Sequence, residues 1–263
     1  MKFDLKEGLS LGEYASRAYD ETPFKRMKAG TPWCVFLDGE QTDSRVLMEF
    51  NGVEIILSFR GTRDLQDWMQ DGKVEKTNVL LKSPDTKDLL VHKGFLEDAL
   101  SLYSKIAHRL TDTTMPLLIT GHSKGAAEAT IIAYMLGRRA YNIKKVVTYA
   151  SPRVGNSGFK ASYQRILGSR TFRVAAAGDL VPLVPGIFCP PRDGYRHVGN
   201  EVFLRPDGRY YVNPSRPFEI ISDEWRAAKY LEHEQWDFLA KVHSIDEDYI
   251  PLMQACAKRL ITQ

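Results

Sequence analysis

A glycine-flanked serine, placed between an apolar run and a helical pattern, constrains the fold of this chain more than any other sequence feature. Pro116–Thr120 is typical of a buried strand, and Lys124–Leu136 has the spacing of a helix, with Gly137 at its end. Between them lies Gly121-His-Ser-Lys-Gly125. A strand that turns sharply into a helix through G-x-S-x-G predicts a serine hydroxyl lifted above the edge of a sheet.

The alternation of strand and helix continues on both sides of this junction. Val53–Phe59 is apolar enough to be a strand buried on both faces, and apolar residues between Phe95 and Leu110 recur at helical spacing. After the junction, the pattern predicts a strand over Lys145–Tyr149, a helix over Phe159–Leu167 and a strand over Thr171–Ala175. Crossovers of this kind imply the α/β class, with a mainly parallel sheet flanked by helices on both faces.

The two ends of the chain carry other signals. A capping-box pattern from Ser10 to Glu13 predicts a short helix that ends near Tyr19. Two β-like runs, Trp33–Leu37 and Arg45–Phe50, predict an antiparallel N-terminal edge of the sheet. The remaining elements expected are a hairpin of Glu201–Leu204 with Tyr210–Val212, turning at Pro206-Asp207-Gly208, and helices over about Asp223–Lys241 and Asp246–Ile261.

Composition narrows the class of protein. The 263 residues, 43% hydrophobic and 26% charged, fit a globular chain, and we predict one domain over residues 1–263. The net charge of +3 is too small to indicate a nucleic-acid partner. The least charged stretch, Val174–Pro191, contains Asp179 and four prolines, so it is interpreted as a loop and not as a transmembrane segment.

The cysteines indicate neither a metal site nor a disulfide framework. Cys34, Cys189 and Cys256 are far apart, and no CxxC or Cys/His cluster is present, so no metal and no cofactor is predicted. An odd number of cysteines favours a reducing compartment, and MKFDLKEG has no apolar core of a signal peptide. The expectation is therefore a cytoplasmic location.

A serine nucleophile needs a base and an orienting carboxylate, and in this architecture the chain order is serine, acid, histidine. Asp179 follows a predicted strand in apolar surroundings, where an ionised carboxylate needs a partner. Asp193, on a more polar turn, is the alternative acid.

Two histidines remain as candidates for the base. His243 falls between two predicted helices, and His197 lies just before a predicted strand; order and context favour His243 without excluding His197. The other four fit less well. His92 and His108 precede the serine, His122 is expected to point to the other side of the strand end, and His233 lies in a charged helical stretch.

Seven ordered segments together resemble the class 3 lipase family, the α/β-hydrolase branch that includes fungal triacylglycerol lipases and feruloyl esterases. They are Phe59-Arg-Gly-Thr62, Asp67-Trp68, Val91-His-Lys-Gly-Phe95, Gly121-His-Ser-Lys-Gly125, Tyr149-Ala-Ser-Pro-Arg-Val-Gly-Asn156, Gly178-Asp-Leu-Val-Pro182, and His243 with Tyr249. The resemblance implies an α/β-hydrolase fold and a catalytic triad of Ser123, Asp179 and His243. It also implies an oxyanion hole formed by Thr62 and the backbone N–H of Lys124.

The resemblance further implies a mobile lid, here about residues 63–76. This segment is strongly charged, so a lid that inserts into lipid is not favoured, and a solvated helix and loop is an equal interpretation. The better candidates for an apolar rim that contacts the acyl chain, with core packing as the alternative, are Val181, Leu183, Ile187 and Phe188.

Lys124 departs from the family pattern, in which the residue after the serine is usually apolar. We expect its ammonium either to pair with an acid near the lid, such as Asp64 or Asp67, or to favour anionic substrates; an ordinary salt bridge is the alternative. Glu128 is a second departure, and the sequence offers no explanation for it.

Together these features predict a serine carboxylic ester hydrolase that acts on acylglycerol, phospholipid acyl esters or small soluble esters. The predicted partner is a lipid or small ester substrate, with transient contact at a lipid interface. A catalytically silent lipase-like binding protein is the alternative from another class, and a peptidase or thioesterase on the same scaffold is a third.

Overall fold

The computed structural model describes residues 2–20, 33–62, 76–78, 89–111, 113–185, 194–214 and 236–261. Its main feature is an eight-stranded sheet in the order β1-β2-β3-β6-β7-β8-β9-β10. These strands are β1, Trp33–Asp38; β2, Arg45–Phe50; β3, Ile55–Phe59; β6, Leu117–His122; β7, Ile143–Tyr149; β8, Thr171–Ala176; β9, Asn200–Leu204; and β10, Tyr210–Val212. A separate antiparallel pair joins β4, Lys76–Asn78, to β5, Leu90–His92.

The sheet is parallel in its centre and antiparallel at both edges. Strands β3, β6, β7, β8 and β9 pair in parallel. The N-terminal strands pair β1 with β2 and β2 with β3 in antiparallel register, and β9 and β10 form the predicted hairpin. Every residue of β3, β6 and β8 is buried, as expected for central strands covered on both faces. The α/β class predicted from the sequence is confirmed.

Helices cover both faces of this sheet. The described helices are α1, Leu5–Arg17; α2, Lys93–Arg109; α3, Lys124–Arg138; α4, Ser157–Leu167; α5, Trp236–His243; and α6, Ile250–Ile261. One core cluster packs α2, α3 and α4 against the sheet, and the second packs α1 and α6 against it. Because these strands are parallel, the carboxyl ends of β3, β6 and β8 lie at the same edge of the sheet. The predicted site residues Thr62, Ser123 and Asp179 follow these three strand ends.

Some boundaries differ from the sequence expectation. Helix α1 begins at Leu5, because the carboxylate of Asp4 caps the N–H groups of Lys6 and Glu7; Ser10 lies inside the helix. Near the C-terminus, His243 is the last residue of α5, and a π-helical turn, Ile245–Tyr249, leads into α6. No helix in the described ranges combines the length and the hydropathy needed to cross a bilayer.

Candidate active site

Ser123 occupies the sharp turn between β6 and α3. Its backbone has φ 59° and ψ −129°, a left-handed conformation that a non-glycine residue adopts only when its surroundings enforce it. The Ser123 N–H donates to the carbonyl of Tyr149 at 3.0 Å, and the side chain is buried. This is the strained geometry that a nucleophile elbow requires.

The two flanking glycines allow the turn to pack this closely. A Cβ atom at Gly121 would lie 2.6 Å from the carbonyl oxygen of Gly125. One at Gly125 would lie 2.4 Å from the carbonyl oxygen of Phe59 and 2.5 Å from that of Arg60. Backbone atoms cannot retreat from such contacts, so both positions require glycine.

The turn after β3 lies directly against Ser123. A Cβ at Gly61 would approach the Cβ of Ser123 to 2.9 Å, which places Thr62, the next residue, at the same edge of the sheet. Lys124 is the first residue of α3, where N–H groups have no partner within the helix and point out of its end. Of the two predicted oxyanion donors, one therefore belongs to the turn after β3 and the other to the first turn of α3.

Asp179 and His243 are brought together from positions 64 residues apart. The Nδ1 atom of His243 lies 3.0 Å and 3.1 Å from the two carboxylate oxygens of Asp179. Both side chains are buried, so the carboxylate needs its hydrogen bonds. The N–H of Val181 donates one more, at 2.9 Å to Oδ1.

Tyr249 supplies a further donor to the same carboxylate. Its hydroxyl donates to Oδ2 of Asp179 at 2.6 Å and accepts the N–H of Ala176 at 3.2 Å. Burial, reinforced by the charge of Asp179, raises the pKa of Tyr249 well above its usual range, so the hydroxyl keeps its proton and donates. The motif analysis included Tyr249 but could assign it no role, because its partner is 70 residues away.

Two polar atoms at this edge are buried without a hydrogen-bond partner among the described residues. They are the Oγ of Ser123 and the Nε2 of His243. The other ring nitrogen of His243 is held by Asp179, so Nε2 is the atom left to accept a proton. Catalytic hydrogen bonds are often long or unformed until substrate binds, which explains how both atoms can stand unsatisfied in one site.

His122 lies closer to the site than the sequence suggested. Both of its ring nitrogens form hydrogen bonds to groups other than Ser123 and Asp179. Nε2 lies 2.6 Å from the carbonyl oxygen of His243, which can only accept, so Nε2 carries the proton. Nδ1 then accepts from the hydroxyl of Tyr19 at 2.7 Å, and Tyr19 in turn accepts the N–H of Gly61 at 3.1 Å. Burial, with the neighbouring His243, holds the pKa of His122 well below its usual range, so it is a neutral link and not the base.

The alternative base is placed elsewhere. The Nε2 of His197 lies 2.6 Å from the carbonyl oxygen of Pro182, so His197 contacts the loop that carries Asp179 and not the carboxylate itself.

Of the residues predicted to contact the acyl chain, Val181 is buried and Leu183 is half-buried in a single 3₁₀ turn beside Asp179. The other expectations, Ile187, Phe188, Asp193, His233 and lid residues 63–75, lie outside the described residues.

Among the described residues, the ammonium of Lys124 contacts two carboxyl groups. It lies 3.1 Å from Oδ2 of Asp98, in α2, and 3.4 Å from Oε1 of Glu128, one turn further along α3. Asp64 and Asp67 are outside the described residues. The contact gives Glu128 the explanation that the sequence did not supply: it is a buried partner of Lys124.

No group of three or more His, Cys, Asp or Glu side chains among the described residues is arranged to hold a metal ion. The groups that the structure brings together at this edge are a serine, a histidine held by a carboxylate, and backbone N–H donors.

The strand order and the strained serine after β6 are those of the α/β-hydrolase fold. Among solved structures, a mono- and diacylglycerol lipase from Aspergillus oryzae is similar, with a TM-score of 0.67 and 20% identity over 81% of this chain and 86% of that chain. A lipase from Rhizopus microsporus var. chinensis has a TM-score of 0.64 and 24% identity, covering 76% of this chain and 74% of the other.

Residues 56–189, just over half of the chain, match the class 3 lipase family, and the chain belongs to that family. It is 30% identical over 187 residues to the secreted mono- and diacylglycerol lipase A of Penicillium cyclopium, covering 68% of this chain and 58% of that protein. It is also 30% identical over 185 residues to the phospholipase A1-II 6 of Oryza sativa, covering 57% of this chain and 44% of that protein. The chain thus spans about half the length of these relatives.

Proposed function

We propose that this chain is a serine carboxylic ester hydrolase that cleaves acyl esters of lipids. The observation that carries the proposal concerns two buried atoms, the Oγ of Ser123 and the Nε2 of His243, which have no hydrogen-bond partner in the described part of the chain. Asp179 holds the other ring nitrogen of His243. Leaving buried polar atoms unpaired is costly, so such a pair indicates a site built for a reaction. The names of the relatives, which include lipases and phospholipases, support an ester bond in a lipid as the target.

In the proposed reaction, Ser123 Oγ attacks the ester carbonyl while Nε2 of His243 takes its proton. Asp179 holds the Nδ1–H tautomer and stabilises the imidazolium that forms. The imidazolium then gives its proton to the leaving alcohol, and an acyl-enzyme remains. Water, activated by the same histidine, attacks the acyl-enzyme and releases the carboxylic acid.

The negative oxygen of each tetrahedral intermediate needs donors that are already in place. The peptide N–H of Lys124 is one candidate, because it points out of the first turn of α3 and carries the positive end of the helix dipole. Thr62 is the other, since its turn lies against Ser123. Removing one such donor costs about 100- to 1,000-fold in kcat in comparable sites.

A neutral acylglycerol is the proposed substrate class, with a phospholipid acyl ester as the second candidate because a phospholipase A1 is among the relatives. Transient contact with a lipid interface belongs to the same proposal. The cytoplasmic location expected from the cysteines stays a prediction.

The test is to compare the wild type with Ser123→Ala on p-nitrophenyl esters of increasing acyl length, below and above their solubility limits. We expect kcat/KM to fall at least about 1,000-fold in the variant. Ser58→Ala is the matched control, because Ser58 is also a buried serine whose Oγ lacks a hydrogen-bond partner within the described ranges, but it lies inside β3. Turnover that Ser123→Ala retains would contradict the proposed nucleophile. A wild type without turnover on any of the esters would contradict the hydrolase proposal and favour the catalytically silent binding protein.

A further inference from the structure

Lys124, the residue after the proposed nucleophile, carries an ammonium that two carboxyl groups hold on the flank of α3. The Lys124 side chain is only 10% exposed, and its Nζ atom lies 3.1 Å from Oδ2 of Asp98 and 3.4 Å from Oε1 of Glu128. Ser44, just before β2, donates to the same Oε1 at 3.1 Å. The ammonium thus sits where α2, α3 and the entry to β2 meet.

This position is not the one that the helix itself would favour. Side chains lean towards the N-terminal end of an α-helix, so a long side chain at the first position tends to lie over that end. In this protein, that end faces Ser123 and the Gly61–Thr62 turn. Contacts with Asp98 from a neighbouring helix and with Glu128 one turn later place the ammonium on the flank instead.

The carboxyl groups around Lys124 keep its ammonium protonated at neutral pH. Burial alone would lower the pKa of Lys124, but Glu128 and Asp98 together raise it, so the ammonium keeps its proton. Burial raises the pKa of Glu128 to about 8 against the opposing effect of Lys124. Asp98, with 18% of its side chain exposed, and the fully buried Glu128 are thus both partners of the ammonium.

We propose that Asp98 and Glu128 tether the Lys124 ammonium away from the oxyanion side, so that the enzyme does not favour esters with an anionic head group. The inference rests on the proposed ester hydrolase function and names the specificity of that same site. An untethered ammonium beside Ser123 would attract a phosphate or carboxylate on the substrate. Paired with Asp98 on the flank, it contributes no net attraction, and neutral acylglycerols are the preferred class.

The experiment measures kcat/KM for release of octanoate from 1-octanoylglycerol and from 1-octanoylglycerol 3-phosphate, and takes the ratio of phosphate ester to neutral ester. Asp98→Asn keeps the shape of the side chain and removes its negative charge, so that one of the two partners of the ammonium is lost. We expect the ratio to rise at least about fivefold, and the rise to shrink when sodium chloride is increased to about 0.5 M, because a released charge near solvent is screened. Adding Lys124→Met to Asp98→Asn removes the ammonium and should abolish the rise.

Asp207→Asn is the matched control, because Asp207 also pairs with a cation, Arg209, but lies on the β9–β10 hairpin. Its ratio should equal that of the wild type. If Asp98→Asn does not fold, as judged by its melting transition, Glu128→Gln loosens the same tether and should raise the ratio in the same direction. A wild-type ratio in Asp98→Asn, or a rise that persists in Asp98→Asn/Lys124→Met, would overturn this inference alone. Absence of Ser123-dependent turnover in the wild type would overturn the proposed function, and the inference with it.

Discussion

The Asp179 carboxylate accepts hydrogen bonds from three separate parts of the chain. His243 comes from the end of α5, Tyr249 from the π-helical turn, and the N–H of Val181 from the loop that carries the aspartate itself. A buried carboxylate with this many donors has one orientation, and that orientation sets the tautomer and the ring plane of His243. The orientation of the proposed base therefore depends on the other donors to Asp179 as well as on His243 itself.

Tyr249→Phe tests this dependence. The variant removes one hydrogen bond to a buried carboxylate, which is worth about 1.5–3 kcal/mol. We expect the melting temperature to fall by about 5 °C and kcat to fall about tenfold with little change in KM, because the loss affects orientation of the base and not substrate binding.

Tyr163→Phe is the control for Tyr249→Phe. It also removes a buried tyrosine hydroxyl, which contacts Thr171 at 2.9 Å at the amino end of β8. A lower melting temperature with wild-type kcat is expected there. If the two variants lose kcat equally, Tyr249 has no special effect on the acid–histidine pair.

At the scale of elements, the contact between α3 and the end of β3 decides whether the site forms. Gly125 brings the first turn of the helix against the carbonyl groups of Phe59 and Arg60. The neighbouring Gly61 brings the turn after β3 against Ser123, and the Tyr19 hydroxyl holds the N–H of Gly61. The nucleophile and both proposed oxyanion donors are thus carried by one close approach of a helix to a strand end.

Gly125→Ala would separate these elements. Its Cβ would meet backbone oxygens at 2.4–2.5 Å, so we expect a loss of about 3 kcal/mol in the free energy of unfolding and about a 100-fold loss of kcat. Gly137→Ala, on the same helix, is the comparison: its nearest neighbour is a side-chain methyl of Ile166 at 3.1 Å, which can move. Unfolding in urea and steady-state rates of both variants measure the effect, and equal losses would show that the close approach at Gly125 is not special.

At the scale of the whole molecule, the buried Glu128 couples stability to pH. Its pKa is raised to about 8 by burial, against about 4.5 for an exposed glutamate. Between these values the folded protein holds a proton that the unfolded chain has released. This contribution to stability is complete below about pH 4.5 and is lost as the pH rises to about 8.

Glu128→Gln removes this titration while keeping the shape of the side chain. We expect the melting temperature of the variant, relative to wild type, to increase steadily from pH 5 to pH 8 and to level off above pH 8. Differential scanning calorimetry across that range is the measurement. A difference that stays constant with pH would mean that Glu128 is ionised in the folded protein throughout.

Local sequence determined the fold class, most element positions and the serine turn of this protein. Hydrophobic periodicity and the chemistry of turns act over a few residues, so the G-x-S-x-G junction predicts its own conformation without knowledge of the rest of the chain. The capping-box pattern at Ser10 failed for a local reason as well, since Asp4 is the cap that the helix uses. The family resemblance added Thr62, which no periodic pattern singled out.

Only the tertiary structure decided which side chains meet. His197 and His243 were both open by chain order, and the structure places His243 on Asp179 and His197 on the carbonyl of Pro182. It also pairs Lys124 with Asp98, from a helix 26 residues earlier. Such contacts depend on strand register and on the rotation of each helix about its axis, which the packing of the whole core sets and which no short stretch of sequence encodes.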